Sequence, residues 1–95
     1  MDNILSLIGL ACKAKKIYLG KQNLDNLKDI KYMFIASDAS DKTKERFIKK
    51  CNYYSIEYCL DINGEQLSKA IGKNNVKIIG INDEAFVEMI KDKFK

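Results

Sequence analysis

Apolar residues recur three or four positions apart in three segments: Ile4, Ile8 and Ala11; Phe47, Cys51 and Tyr54; and Phe86, Ile90 and Phe94. That spacing places each set on one face of a helix. We predict a first helix that is capped by Asp2 or Asn3 and ends near Lys15. The second set lies in a helix from about Asp41 to Tyr53, which follows a turn rich in N-cap residues. Asn82 is the predicted cap of the last helix.

Four short segments between these helices have strand character: Ile17–Leu19, Tyr32–Ala36, Ser55–Leu60 and Val76–Ile81. The second is a continuous apolar run, which is typical of a strand covered on both faces. Two further helices separate the strands. One follows a turn at Gly20 and runs from about Lys21 to Ile30. The other begins at a capping box formed by Asn63 and Gln66 and ends at Gly72.

The alternation of helices and strands predicts the architecture. The order α-β-α-β-α-β-α-β-α places helices on both sides of a small sheet. We therefore predict an α/β fold, a three-layer α/β/α sandwich with four strands, that forms a single domain over residues 1–95. The first strand is too short to be assigned a central place in the sheet.

The composition argues against several classes of protein. No apolar run approaches the roughly 18 residues of a membrane span, and we expect no secretory signal and no contact with a membrane. The three cysteines, Cys12, Cys51 and Cys59, form no CxxC pair and are expected to be reduced thiols in the cytoplasm. Histidine, nucleotide-binding loops and nucleophile elbows are absent. We therefore expect no enzymatic activity, no cofactor and no metal ion.

Positive charge is concentrated in the first half of the chain. Residues 1–50 hold eleven Lys or Arg against six Asp or Glu, whereas residues 51–95 hold six against seven. The first half would attract an acidic partner such as nucleic acid. A solvated, lysine-rich surface explains the same imbalance, and charge alone does not separate the two interpretations.

The most informative segment runs from Leu10 to Asn23. It combines a basic helix end, a short strand, a glycine turn and the opening of a second helix. Free N–H groups at a helix N-terminus bind phosphate, amide side chains hydrogen-bond base edges, and lysines hold a phosphate backbone. The predicted nucleic-acid site comprises Lys13, Lys15, Lys16, Gly20, Lys21, Gln22 and Asn23. We expect its lysines to converge on one edge of the fold. The structural alternatives are a plain turn for Gly20 and a solvated face for the lysines.

Four motifs occur in order along the chain: Leu10-Ala11 through Gly20, Ile35-Ala36-Ser37-Asp38-Ala39-Ser40, Leu67-Ser68-Lys69-Ala70-Ile71-Gly72 and Ile79-Gly80-Ile81-Asn82-Asp83-Glu84. With them the chain resembles, over nearly its whole length, the bacterial YlxQ-type branch of the ribosomal protein L-seven-Ae / L-thirty-e family. The resemblance implies a four-stranded mixed sheet between helices. It also implies a protein that binds kink-turn or related internal-loop RNA, in ribosomal or other RNA–protein assemblies.

The resemblance implies roles for residues near the glycine turn. Family members grip RNA with a glycine-led helix N-terminus, which here is Gly20–Asn23. Gln22 and Asn23 fall at base-reading positions, and Asn26 falls where a lysine is common. Lys73 lies in a loop that would flank the same surface. We expect RNA as the partner of a monomeric protein, with ribosomal or translation-factor proteins as further partners.

Two departures from the family pattern motivate an alternative function. Asn23 is one methylene shorter than the Glu or Gln common at its position. The loop Lys73-Asn74-Asn75 is polar where strong kink-turn binders carry apolar residues. The alternative is a protein-interaction module on the same fold, in which RNA binding is weak or lost.

Overall fold

The computed structural model describes residues 2–94, with side chains from Ile4 onward. The side chains of Asp2 and Asn3, and with them their predicted capping role, lie outside the described residues. Within this range the chain forms five helices and four strands: α1 (Asp2–Lys13), β1 (Ile17–Leu19), α2 (Gln22–Asp25), β2 (Tyr32–Ile35), α3 (Asp41–Tyr53), β3 (Glu57–Cys59), α4 (Gly64–Ile71), β4 (Ile78–Ile81) and α5 (Glu84–Lys93).

The four strands form one mixed sheet in the order β1-β4-β2-β3. β4 runs antiparallel to both β1 and β2, while β2 and β3 are parallel. The short β1 is an edge strand, and the mixed sheet implied by the family resemblance is confirmed. β2, β3 and β4 are each one to three residues shorter than predicted.

Helices cover both faces of this sheet. On one face, α4 and α5 contribute Leu67 and Ile90 to a core that includes Phe34 of β2, and α1 packs there as well. On the other face, α3 contributes Phe47 to a core that includes Met33. Every residue of β2 and β4 is buried, which explains why both segments are continuous apolar runs. The predicted α/β/α sandwich is confirmed. No helix among the described residues is long and apolar enough to cross a membrane.

The capping box of α4 is the one that the sequence predicts, and Ser40 is the residue that caps α3 among the several candidates in the preceding turn. The Ser40 hydroxyl accepts a hydrogen bond from the Thr43 N–H at 3.2 Å. Asn63 Oδ1 accepts from the Gln66 N–H at 2.8 Å, and Gln66 Oε1 accepts from the Asn63 N–H at 3.3 Å. Gly72 ends α4 with a φ of +69°, a conformation that glycine adopts without strain.

The predicted second helix is too long, because α2 ends at Asp25. Beyond it, the backbone N–H groups of Asn26 and Asp29 donate to carbonyls three residues earlier, so the chain continues as tight turns. These turns bury Leu27 and Ile30 in the core shared with α3. Burial of two apolar side chains from an irregular segment outweighs the helical propensity of the local sequence.

The predicted cap of the last helix is wrong by one residue. Asp83, not Asn82, accepts a hydrogen bond from the Phe86 N–H, at 3.2 Å. Asn82 is drawn away because its Nδ2 donates to Asp29 Oδ2 at 3.2 Å. A contact between residues far apart in the chain therefore decides where α5 begins.

Lys15, two residues beyond the end of α1, has a left-handed conformation with a φ of +60°. Its N–H donates to the Cys12 carbonyl, and the next N–H, of Lys16, donates to the Ala11 carbonyl. This pair of bonds is a Schellman motif, in which glycine is the favoured residue at the left-handed position. The side chain of Lys15 is exposed, so nothing in the core requires a lysine there.

We expect Lys15→Gly to raise the free energy of unfolding by about 0.5–1 kcal/mol. Relief of left-handed strain in an L-residue is worth about 1–2 kcal/mol, and the added freedom of glycine in the unfolded chain returns about half of that. Urea unfolding monitored by circular dichroism measures the difference. Lys15→Ala, which also removes the charge but keeps the Cβ, is the control and should give no gain. Equal stabilisation by both variants would show that lysine charge, not backbone strain, is responsible.

Candidate nucleic-acid interface

Strand directions divide the predicted site between two ends of the sheet. β1 is antiparallel to β4, so the Lys16 carbonyl accepts from the Asn82 N–H beyond the end of β4. Gly20, at the other end of β1, donates its N–H to Ile78 at the start of β4. Lys16 and Gly20 flank the three residues of β1 and lie four positions apart in extended chain, which is roughly 13 Å. Lys13, Lys15, Lys16 and Lys21 therefore lie along one edge of the sheet, but at the two ends of β1, and the predicted convergence of all four is wrong.

We name these two regions for what they carry. The lysine end comprises Lys13, Lys15 and Lys16, which close α1 and lead into β1. The glycine end comprises Gly20, Lys21 and Gln22 after β1, Ser37–Ser40 after β2, and Lys73–Lys77 before β4. Each of Lys13, Lys15, Lys16, Lys21 and Lys73 is exposed, and none forms a salt bridge within the described part of the chain.

The turn at Gly20 has the geometry that the sequence predicts. Gly20 has a φ of +51°, which a residue without a Cβ adopts at little cost. Its N–H donates to the Ile78 carbonyl at 3.1 Å, and its own carbonyl accepts from the Asn23 N–H at 3.2 Å. The turn is thereby fastened to the central strand β4 on one side and to α2 on the other.

Asn23 is fully buried and holds this turn together. Its Nδ2 donates to the Gly20 carbonyl at 2.9 Å and to the Tyr18 carbonyl at 3.2 Å. Its Oδ1 lies over Gly80, where any Cβ would overlap it, and it accepts no hydrogen bond from the described residues. A side chain with no exposed surface cannot read a base, so the predicted base-contacting role of Asn23 is wrong. Gly80, a glycine inside an apolar strand, was the available signal of a close approach.

Gln22 and Lys21 are the side chains of this turn that face solvent. Gln22 Oε1 accepts from the Leu19 N–H at 3.1 Å. That bond orients the amide, while Nε2 has no acceptor among the described residues and can donate outward. Lys21 occupies the N-cap position of α2 without making a side-chain cap. The exposed pair therefore presents one amide donor and one positive charge.

The rest of α2 contributes less than the sequence suggests. Asn26 is half-buried, and its Nδ2 donates to the Gln22 carbonyl at 2.8 Å, which closes the helix. With four residues α2 is a single turn. Because the helix dipole grows from aligned peptide units, its N-terminus attracts an anion weakly compared with that of a full helix. Charge at the glycine end therefore comes from lysine side chains.

Asp38, at the glycine end, is held in a compensated pair. One carboxylate oxygen accepts from the Gly64 N–H at 2.8 Å, and the other lies 3.1 Å from Lys77 Nζ. The Gly64 N–H and then the Lys77 ammonium lower the pKa of Asp38 below its ordinary value. Because its negative charge is matched locally, Asp38 does little to repel a phosphate bound at Lys21 or Lys73.

A second network fastens the lysine end. The Tyr18 hydroxyl donates to Asp29 Oδ2 at 2.7 Å, beside the Asn82 amide. The hydrogen bond from Tyr18 and then that from Asn82 lower the pKa of Asp29, and the charges of Lys31 and Lys16 lower it further. These contacts join β1, the turns after α2 and the end of β4. The network is structural, since Asp29 accepts from both Tyr18 and Asn82, although the buried Oδ1 of Asn82 has no hydrogen-bond partner among the described residues.

Comparison with known proteins identifies relatives along nearly the whole chain. RNA-binding protein YlxQ of Enterococcus faecium is 34% identical over 93 residues, which cover 93% of this chain and 87% of that protein. RNA-binding protein YlxQ of Bacillus subtilis strain 168 is 29% identical over 89 residues, which cover 88% of this chain and 87% of that protein. No protein-family model matches the chain.

Solved structures show the same fold. A protein of unknown function from Bacillus halodurans superposes with a TM-score of 0.85 at 29% identity, covering 94% of this chain and 93% of that one. The Giardia lamblia 15.5kD RNA binding protein superposes with a TM-score of 0.73 at 18% identity, covering 93% of this chain and 78% of that one. The second likeness concerns the fold alone.

We expect Asn23→Ala to lower the free energy of unfolding by about 2–3 kcal/mol, because the two hydrogen bonds that Nδ2 donates to Tyr18 and Gly20 are lost and a cavity is left beneath the turn. Gln22→Ala, at an exposed position, should cost less than about 1 kcal/mol. Gly80→Ala should also destabilise the parent strongly. In the Asn23→Ala background the methyl group that Gly80→Ala adds enters the space that the Asn23 side chain has vacated. The loss of stability caused by Gly80→Ala should therefore be smaller there than in the parent. Urea unfolding of the four proteins measures the cycle, and strictly additive costs would contradict the proposed packing.

We expect the protein to lose stability as the pH falls below about 4, and Asp38 to contribute to that loss. The pKa of its carboxyl is lowered from 3.8 in the folded state. The unfolded chain therefore takes up a proton first, and the contribution of Asp38 is present above pH 3.8 and lost below it. In Asp38→Asn the urea midpoint should change less between pH 7 and pH 3 than in the parent. Glu88→Gln, which removes an exposed carboxylate, is the control, and an equal flattening in both variants would contradict a specific role for Asp38.

Proposed function

Because the chain belongs to the YlxQ family, a branch of the ribosomal protein L-seven-Ae / L-thirty-e proteins, we propose that it binds structured RNA. Two relatives that match almost end to end are named RNA-binding proteins. The preferred target is a kink-turn or a related internal loop, in a ribosomal or translation-associated RNA. The protein acts in the cytoplasm as a monomer, and ribosomal or translation-factor proteins are its further partners.

The observation that carries this proposal is the composition of the glycine end. Gln22 presents an amide donor on a rigid turn, with Lys21 beside it. Lys73 lies exposed in the loop that leads into β4 at the same end of the sheet. An amide that hydrogen-bonds a base edge provides selectivity, and lysines that contact the phosphate backbone provide affinity.

The lysine end has a separate role in the proposal. Lys13, Lys15 and Lys16 lie at the far end of the edge strand β1, roughly 13 Å from Gly20. A helical stem of RNA is wide enough to reach both ends of β1 at once. We assign these three lysines to the phosphate backbone of a stem that flanks the loop read by Gln22. They set affinity without sequence preference.

The alternative function, a protein-interaction module, is favoured by one observation. Asn23 occupies a base-reading position of the family pattern, and here it is buried under the turn. Because the Asn23 side chain points inward, one of the two expected base-reading amides, that of Gln22, remains exposed. Binding to neither a kink-turn RNA nor a duplex at micromolar protein and near-physiological salt would favour the module over RNA binding.

We expect Gln22→Ala to reduce the preference for a kink-turn RNA over a plain duplex of equal length. Loss of the one hydrogen bond that the Gln22 Nε2 group can donate to a base costs about 0.5–1.5 kcal/mol, and the effect should fall on the kink-turn RNA alone. Gel-shift titrations of both RNAs measure the ratio of dissociation constants. Asn52→Ala, which removes another exposed amide, should leave the ratio unchanged. Lys16→Ala should weaken both RNAs about equally. An unchanged ratio in Gln22→Ala would show that this side chain reads no base.

A further inference from the structure

Helix α3 carries a basic stripe that the glycine and lysine ends do not include. It consists of Lys42, Arg46, Lys49, Lys50 and Tyr53, all exposed. At about 100° per residue, these five positions fall within an arc of about 100° and extend for about 16 Å along the helix. The arc lies opposite the face that buries Phe47 and Cys51. They line one continuous open groove together with Glu45 and Tyr54.

The charge pattern of the stripe differs from that of an ordinary solvated helix face. Lys42 with Arg46, and Arg46 with Lys50, are like charges four residues apart, an arrangement that destabilises a helix. Within the described residues these cations form no salt bridge, although Glu45 precedes Lys49 by four residues and Asp41 directly precedes Lys42, so the repulsion is offset in part. On the opposite layer, by contrast, Lys69 pairs with Glu65 at 3.2 Å. The cations of the stripe repel one another, and an anionic partner would relieve that repulsion.

Tyr53 adds an aromatic surface at one end of these charges. It is 81% exposed, the most exposed large apolar side chain described. Its ring meets the ring of Tyr54 edge-on, with centroids 5.0 Å apart and planes at 73°. Tyr54 packs against the core beneath α3, so one edge of the exposed ring is supported while its faces remain open. A supported aromatic beside lysines is the combination with which proteins stack unpaired bases.

We propose that the α3 stripe is a second contact surface, one that holds a single-stranded segment of RNA next to the structured target. The cations would follow the phosphate backbone, and Tyr53 would stack on a base without regard to its identity. α3 begins at Ser40, at the glycine end, and lies on the same face of the sheet as α2. RNA that leaves the glycine end can therefore continue along α3. This inference rests on the proposed function, because its partner is RNA.

The test uses the full chain and a pair of RNA probes: a kink-turn RNA, and the same RNA with a single-stranded uridine tail of about 12 nucleotides on either end. The parent should bind the tailed probe more tightly. The triple variant Lys42→Gln, Arg46→Gln and Lys49→Gln should lose that advantage. Its salt dependence on the tailed probe should be shallower by about 2 in log K against log salt, at about 0.7 per lost phosphate contact. Glutamine has nearly the helix propensity of lysine and arginine, so α3 should remain folded.

A triple variant on the opposite layer is the matched control. Lys69→Gln, Lys91→Gln and Lys93→Gln removes the same number of charges and should keep the advantage of the tail. Tyr53→Ala should weaken binding of the tailed probe by roughly 5- to 150-fold, whereas Tyr53→Phe should retain it. Neither change at Tyr53 should alter binding of the probe without a tail.

The outcomes separate this inference from the proposed function. If the parent binds the kink-turn RNA but the tail adds nothing, or if both triple variants behave alike, the second surface is wrong and the proposed function stands. If the parent binds neither probe, both fail. Co-sedimentation with anionic phosphatidylglycerol vesicles that is lost in the α3 variant, with tail binding unaffected, would assign the stripe to a lipid surface and overturn the inference.

Discussion

The buried amide of Asn23 is the contact on which the candidate site depends. It joins the carbonyls of Tyr18 and Gly20, and its oxygen rests on the bare backbone of Gly80 in β4. Because that contact holds the turn against the central strand, the neighbouring Gln22 projects outward from a rigid support. A side chain that the family pattern assigns to recognition thus stabilises the residue beside it, and the two amides of the turn have different tasks.

Strand direction is the second constraint on how this protein meets a partner. Antiparallel pairing of β1 with β4 separates the lysine end from the glycine end by the length of an edge strand. Positive charge is therefore distributed along one side of the sheet, and it is not focused at one point. Such a distribution suits an extended polyanion, whose charges are themselves spread along a backbone. At the glycine end, Lys77 and the Gly64 N–H compensate the negative charge of Asp38.

The two helical layers differ in how their charges are balanced. In the layer of α1, α4 and α5, Lys69 and Lys91 pair with acidic side chains. In the layer of α2 and α3, the stripe that ends at Tyr53 has no such pairs within the described residues. The Lys69–Glu65 pair lies four residues apart within α4 and can be read from the sequence, whereas the pairing of Lys91 with Glu57 of β3 depends on the tertiary structure.

The sequence by itself determined the architecture, the capping box at Asn63 and the turn at Gly20, because these depend on apolar periodicity and on neighbours within a few residues. The tertiary structure alone decided the rest. The short α2, the cap at Asp83 and the separation of Lys16 from Lys21 each follow from contacts between distant segments. Asn23 is the clearest case. An amide at the start of a helix has the same local sequence whether it faces solvent or Gly80, and only the packing of β4 against the turn selects between them.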